Sequence, residues 1–331
     1  MTNLSITLQC NRDCSYCFAR PLRRKGELAA TRMDRAMFLC ALDFLRQSGI
    51  NQVRLLGGEP TLHPHFEGLV TQALDRGFRL LVFSNGLMPE AALRCLEEAS
   101  PERVSVLVNL PSPWEQNSHE ARYQALTLGR LGRRATLGFN LHTASPDLDF
   151  LLLQVERHRL NRSVRLGLAH PCRDGSNHCL RPKEYAEAGR HIAGFVQQAA
   201  GHGITVELDC GFVPCMFPEG FLESPGVDPA AIGPRCGPVP DILPDGSVVP
   251  CYPLASTWRL SLSDGGDAPH FRSRFEEQMQ PYRTLGIFRQ CATCARRAGG
   301  QCLGGCLAAA MQRLRHTPFA LTEPKETAAV P

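Results

Sequence analysis

The chain opens on a short alternation, Leu4-Ser-Ile-Thr-Leu-Gln9, in which apolar residues recur at every second position and predict a strand. A helical period follows it. Met33, Met37, Cys40, Ala41, Phe44, Leu45 and Ser48 fall on one face, Thr31 with Asp34 makes a weak capping box, and Gly49 ends the run. Cys40 therefore reads as a core residue. The same rhythm then repeats. Strands are expected at 52–56, 78–83, 104–108, 135–141 and 164–169, with helices near 65–75, 89–99, 118–131, 147–159 and 182–201. Residues 204–208 offer one further strand.

About six strand–helix units imply parallel strands joined by right-handed crossovers. Such a pattern suits an open doubly wound sheet or an incomplete barrel, and periodicity alone does not separate them. In either topology, reactive groups belong at the C-terminal ends of the strands. The polar clusters of this chain fall there: 10–17, 57–60, 84–86, Asn109, Asn140 with His142, and His170. In Gly57-Gly-Glu-Pro60 the glycines allow close backbone approach, and Pro60 biases Glu59 toward an extended conformation that presents a carboxylate or carbonyl to the mouth.

Cysteine usage adds the chemistry. Fifteen cysteines, an odd number in close groups, fit metal ligation better than a disulfide framework. Cys10-Asn-Arg-Asp-Cys14-Ser-Tyr-Cys17 puts three thiols in one loop, enough to hold a four-iron cluster with one iron left open. A zinc knuckle is the plainer reading of the triplet. The N-terminus has no export signal and no apolar run reaches membrane length, so a reducing cytoplasm is expected, with no membrane partner. Net charge is +4, but only three lysines (Lys25, Lys183, Lys325) contribute to it. The basic run Arg20-Pro-Leu-Arg-Arg-Lys25 reads as a solvated loop before it reads as a site for an acidic peptide or phosphate. No basic stripe with interleaved aromatics is present, so no nucleic-acid partner is expected.

The C-x3-C-x2-C spacing with Tyr16 before the third cysteine resembles the radical S-adenosylmethionine (SAM) superfamily, and Gly57-Gly-Glu-Pro60 matches that family's SAM-amine motif. The resemblance implies a partial (β/α)6 TIM-like barrel and a 4Fe-4S cluster on Cys10, Cys14 and Cys17. SAM would chelate the open iron and be cleaved reductively to a 5'-deoxyadenosyl radical that removes a substrate hydrogen. It also implies that Tyr16, Ser84, Asn85, Asn109 and Asn140, with Gly57, Gly58, Glu59 and Pro60, line the SAM site. Cys172 and Cys179, in the loop after the sixth strand, are candidate hydrogen donors or acid–base thiols, though spare loop thiols are as common.

Beyond Gly201 the chain becomes loop-rich, and residues 211–253 contain ten prolines. Cys210, Cys215, Cys236 and Cys251, then Cys291-x2-Cys294 and Cys302-x3-Cys306, resemble the SPASM extension, which binds auxiliary 4Fe-4S clusters. Residues 243–251 read as a hairpin turning at Asp245-Gly246 and delivering Cys251. By position, a first auxiliary cluster would use Cys236, Cys251 and Cys306 with Cys215 (or Cys210), and a second Cys291, Cys294 and Cys302. The family's usual last cysteine, after Cys306, is absent, so the second cluster is short of a ligand unless Cys210 or His316 serves, or it does not exist.

The expected organisation is a barrel over 1–203, an auxiliary-cluster domain over 204–316 and a flexible tail over 317–331. The expected activity is radical modification of a ribosomally synthesised peptide by cross-linking, epimerisation or oxidation. The alternatives are oxidation or rearrangement of a small molecule or cofactor precursor, and a non-catalytic iron–sulfur or zinc scaffold. Sulfatase maturation is disfavoured because Tyr252 follows Cys251 where those enzymes carry Asp. Expected partners are an electron donor such as flavodoxin or ferredoxin and, since the chain starts only nine residues before the cysteine loop, a separate peptide-recognition protein.

Overall fold

Seven strands run in chain order: β1 (Asn3–Thr7), β2 (Gln52–Gly57), β3 (Arg79–Ser84), β4 (Val104–Asn109), β5 (Ala135–Leu141), β6 (Ser163–Leu168) and β7 (Thr205–Leu208). Between them lie α1 (Arg20–Arg24), α2 (Arg35–Gln47), α3 (Phe66–Asp75), α4 (Glu90–Glu98), α5 (Ser118–Leu131), α6 (Asp149–Arg157) and α7 (Tyr185–Gly201). The computed structural model describes residues 2–24, 28–172, 174–224, 227, 232 and 236–313. Lys25, His316 and the expected tail lie outside them.

Each of the first six strands pairs in parallel with its successor. A doubly wound sheet reverses its strand order at a switch point; from β1 to β7 the order here runs one way. Right-handed crossovers taken always in one direction keep the helices on one side and curl the sheet. The partial barrel is the result. β7 pairs with β6, so the parallel sheet continues past residue 203. Among the described residues no helix is long and apolar enough to cross a membrane.

The core follows from the sequence pattern with one rotation. α2 buries Phe38, Ala41, Leu42, Phe44 and Leu45, which leaves Cys40 exposed rather than in the core. Its cap is Asp34, whose carboxylate accepts from the Met37 N–H at 2.7 Å, and not Thr31. Phe44 meets Phe271 edge to face at 5.7 Å, and Phe271 is fully buried. That residue lies on α8 (Ala268–Met279), so the C-terminal region shares the barrel's core.

A second join is made by β8 (Asp241–Ile242), which adds to the free edge of β1 in parallel and turns at Asp245-Gly246 into β9 (Ser247–Val249). The expected hairpin is there, with Gly246 at φ 80° and the Leu243 N–H bonded to the Ser247 carbonyl at 2.8 Å. β10 (Leu260–Ser261), α9 (Ala295–Ala298) and α10 (Leu307–Gln312) complete the chain.

Asp241 at the β8 join is buried and accepts from Asn3 Nδ2 at 2.7 Å, and burial pushes its carboxyl up to about 7. The unfolded group titrates near 3.9, so between about pH 4 and pH 7 the folded state retains a proton that the unfolded state releases. Stability from this group is therefore full below pH 4 and falls as pH rises toward 7, by on the order of 4 kcal/mol. Asp241→Asn is expected to raise the urea midpoint at pH 8 and flatten this slope; an unchanged slope in urea titrations would locate it elsewhere.

Candidate functional site

β1 and β2 end side by side, and the turn after β2 is bonded to the chain leaving β1. Gly58 N–H donates to the Thr7 carbonyl at 2.8 Å and Glu59 N–H to the Gln9 carbonyl at 2.7 Å. A Cβ on Gly58 would stand 2.3 Å from the Gln9 oxygen, so only glycine fits. The cysteine loop is thereby rooted one residue before Cys10.

Arginines hold the rest of the loop. Arg20 donates to the Cys14 carbonyl at 2.7 Å and pairs with Asp13 at 3.3 Å, Arg23 donates to the Arg12 carbonyl, and Arg12 pairs with Glu120 at 3.2 Å. Arg20 and Arg23 of the basic run thus fold back onto the cysteine loop, a use that charge counting missed. Burial pushes the Cys10 and Cys17 thiols up, and the nearby Arg23 opposes this at both. Cys14 lies within charge–charge reach of Cys10 and Cys17.

The Glu59 carboxylate is turned into the protein. It is fully buried and accepts from Thr61 N and Oγ1, from Ser84 Oγ at 2.9 Å, and from Asn85 N at 2.7 Å. Burial pushes this carboxyl up, against the pull of those donors. What the turn offers a ligand is its backbone. The Ser84 hydroxyl is engaged in the same network: it donates to Glu59 and accepts from Gly86 N, bracing the turn. Asn85 braces the cysteine loop, with Nδ2 at 2.8 Å from Asn11 Oδ1 and 3.8 Å from Cys10 Sγ. Pro60 is buried and opens a short 3-10 turn capped by Glu59.

Asn109 and Asn140 stand at the ends of β4 and β5, each leaning over a glycine on the next strand. A Cβ on Gly138 would meet Asn109 Oδ1 at 2.4 Å, and one on Gly167 would meet Asn140 Oδ1 at 3.1 Å. Tyr16 stacks on His142 with centroids 4.4 Å apart, and His142 Nε2 lies 3.0 Å from Glu115 Oε1. Beside this stack is a cleft of about 350 Å³ lined by Arg12, Cys14, Ser15, Tyr16, Pro111 and Glu115, among others.

Cys172 does not face an open cavity. Its buried thiol donates to the Cys17 and Phe18 carbonyls at 3.7 and 3.5 Å, and burial pushes it up to about 12, so it packs the loop and is a poor acid–base group. Asn177 works beside it, donating to the Tyr16 and His170 carbonyls. Cys179 is half-buried near His170 and Cys306.

The remaining cysteines gather in the C-terminal region. His170 lies 3.5 Å from Cys210 Sγ and is hydrogen-bonded to Cys306. Burial lowers this imidazole, but Cys306 and Cys210 outweigh that and leave it well above its ordinary value. Leu307 N–H points at Cys236 Sγ, 3.4 Å away, and the half-buried Cys251 has Cys306, Cys236 and Cys210 as neighbours. Cys291, Cys294 and Cys302 gather with Cys215 instead. Among the described residues, no three of His, Cys, Asp or Glu converge on a point as they would around a single ion.

The radical SAM superfamily model matches residues 4–136. Residues 4–136 form a radical SAM domain. An S-adenosylmethionine-dependent nucleotide dehydratase from Selenomonas ruminantium is 36% identical over 85 residues, which is 25% of this chain and 29% of the dehydratase. The chain thus matches less than a third of that relative's length. Streptococcus suis SuiB bound to S-adenosylmethionine superposes with a TM-score of 0.67 at 14% identity, covering 93% of this chain and 72% of SuiB. AnSMEcpe with bound AdoMet gives 0.66 at 16% identity over 92% and 88% of the two chains. These two likenesses concern the fold.

A radical SAM domain implies a 4Fe-4S cluster and SAM, and the residues fit both. Three half-buried thiols share one loop, arginines are set to offset thiolate charge, and a side-chain-free backbone turn adjoins them.

Proposed function

We propose that the chain is a radical SAM enzyme of the SPASM type that modifies a ribosomally synthesised peptide. The observation that carries the radical reading is the clamp between the turn 57–59 and the loop 10–17, which sets backbone groups beside three cysteines at the C-terminal end of the sheet. When bound, the cluster and SAM supply one-electron bond cleavage and hydrogen-atom abstraction. The residues of the chain bind and orient. Cys10, Cys14 and Cys17 hold the iron; Gly57, Gly58 and Glu59 offer backbone to the SAM amine; Asn109 and Asn140 lie where a carboxylate or ribose would be met. Cys179 remains a candidate acid–base thiol. A low-potential donor such as flavodoxin or ferredoxin supplies the electron, in a reducing cytoplasm where thiols stay free.

The peptide reading is supported by the extent of the likeness. The fold match to SuiB, also solved bound to the precursor peptide SuiA, spans 93% of this chain. The alternative is a nucleotide or other small-molecule substrate, favoured by the dehydratase match within a quarter of the chain.

The test is anaerobic cluster reconstitution followed by dithionite-dependent formation of 5'-deoxyadenosine. Wild type is expected to cleave SAM, and Cys14→Ala to fall to background; iron-loaded protein that neither binds nor cleaves SAM would leave only the scaffold reading. Cleavage stimulated by nucleotides but by no precursor peptide would replace the peptide reading with the small-molecule one.

A further inference from the structure

We propose that Cys215 is the fourth thiolate of the Cys291–Cys294–Cys302 group and Cys210 the fourth of Cys236–Cys251–Cys306, so that the chain builds two complete four-cysteine cluster sites. The inference rests on the iron–sulfur reading above. It removes the missing-ligand problem without a cysteine beyond Cys306.

Cys210 is directed by its neighbours. It follows β7 directly, and Asp209 N–H is still bonded to the Leu166 carbonyl at 2.9 Å. Next to it, Gly211 at φ 99° presses on His170, whose Cε1 would lie 2.6 Å from a Cβ there. His170 then bridges Cys210, at 3.5 Å, to Cys306. Cys306 precedes α10, whose Leu307 N–H points at Cys236 Sγ. The β8–β9 hairpin delivers Cys251 to the same neighbourhood.

Four residues intervene between Cys210 and Cys215, and packing turns the chain away over that distance. The 3-10 turn Pro214–Met216 is pinned on two sides. Met216 O would be 1.8 Å from a Cβ on Gly189 of α7, and Val213 Cγ1 would be 3.2 Å from one on Gly305. Cys215 is thus held beside the Gly304–Gly305 turn. Cys302 and Cys291 are tied to that turn as well. Gly304 N–H donates to Cys302 Sγ at 3.3 Å, Gly304 O accepts from Ile287 N at 2.9 Å, and Gly286 lies against both Gly304 and Cys291.

The neighbouring thiols follow the packing: Cys291, Cys302 and Cys294 lie near Cys215, and Cys306 and Cys210 lie near Cys236.

The test removes one site and asks which thiol the other still needs. With the barrel cluster and two auxiliary ones, the reconstituted wild type is expected to hold about twelve iron per chain. In Cys291→Ala/Cys294→Ala, which should retain about eight, adding Cys215→Ala is expected to leave the iron count and the EPR spectrum of the remaining auxiliary cluster unchanged, while adding Cys210→Ala alters both. In Cys236→Ala/Cys251→Ala the pattern should reverse. The backgrounds are reciprocal, so either alone decides the assignment. The opposite pattern, or zinc in place of iron in the wild type, overturns the proposal. SAM cleavage by the wild-type chain is scored separately: cleavage with only about four iron per chain would sink the two auxiliary sites and leave the radical activity standing.

Discussion

Gly58→Ala is expected to cripple the radical chemistry out of proportion to its size. The added methyl carbon would stand 2.3 Å from the Gln9 oxygen and 2.7 Å from the Leu8 oxygen. Both obstacles are backbone, so no side chain can swing aside. Either the turn after β2 or the root of the cysteine loop must shift, at a cost of roughly 3 kcal/mol for overpacking of this kind. The shift passes to Cys10, one residue beyond Gln9, and to the hydrogen bond between Glu59 N and Gln9 O. A displacement of about 1 Å between SAM and the cluster is expected to lower reductive SAM cleavage on the order of 100-fold. Cleavage rate and thermal midpoint, measured on protein matched for iron, check this. A variant that melts and cleaves SAM as the wild type does would show that the clamp does not position the loop.

Much of this arrangement was legible in the sequence because strand ends are legible. The alternation ending at Cys10 and the run ending at Gly57 placed the cysteine loop and the Gly-Gly-Glu-Pro turn at the same end of a parallel sheet. Side-chain direction was not legible. A helical period names a face but leaves its rotation against the sheet to packing, which is why Cys40 came out exposed while Phe38 and Leu42 went in. Glu59 and Ser84 stood at the right strand ends yet point at each other, since a buried carboxylate draws the nearest donors before any ligand arrives.

The cysteine field shows the same limit over longer range. Linear order groups Cys210 with Cys215, but Gly211 packs on His170 and Val213 on Gly305, and the proposed assignment of the two thiols to different sites rests on those contacts. No spacing rule contains those contacts. The basic run is a third case: its charge was plain, but Arg20 and Arg23 within it take the Cys14 and Arg12 carbonyls as partners.

Glu59 provides the second large effect and decides what the glutamate of the turn is for. If its carboxylate serves the fold, Glu59→Ala strands the donors of Thr61, Ser84 and Asn85 in a buried space and leaves a cavity. The expected loss is about 3–5 kcal/mol, the range for removing one partner of a buried charged network. Glu59→Gln keeps the volume but replaces one acceptor with a donor, setting N–H against N–H or O–H, and is expected to lose about 1–3 kcal/mol. In both variants the loss is expected in apo-protein as well as after reconstitution, as a lower urea midpoint at unchanged slope. SAM affinity of the folded, iron-loaded Glu59→Gln protein should stay within a few-fold of wild type, since backbone groups make the contact. A carboxylate that met SAM directly would produce the reverse: apo-protein of normal stability, with SAM binding weakened by on the order of 100-fold as a charge-assisted hydrogen bond is lost. Equilibrium unfolding and SAM titration of the same two variants therefore separate a brace from a ligand.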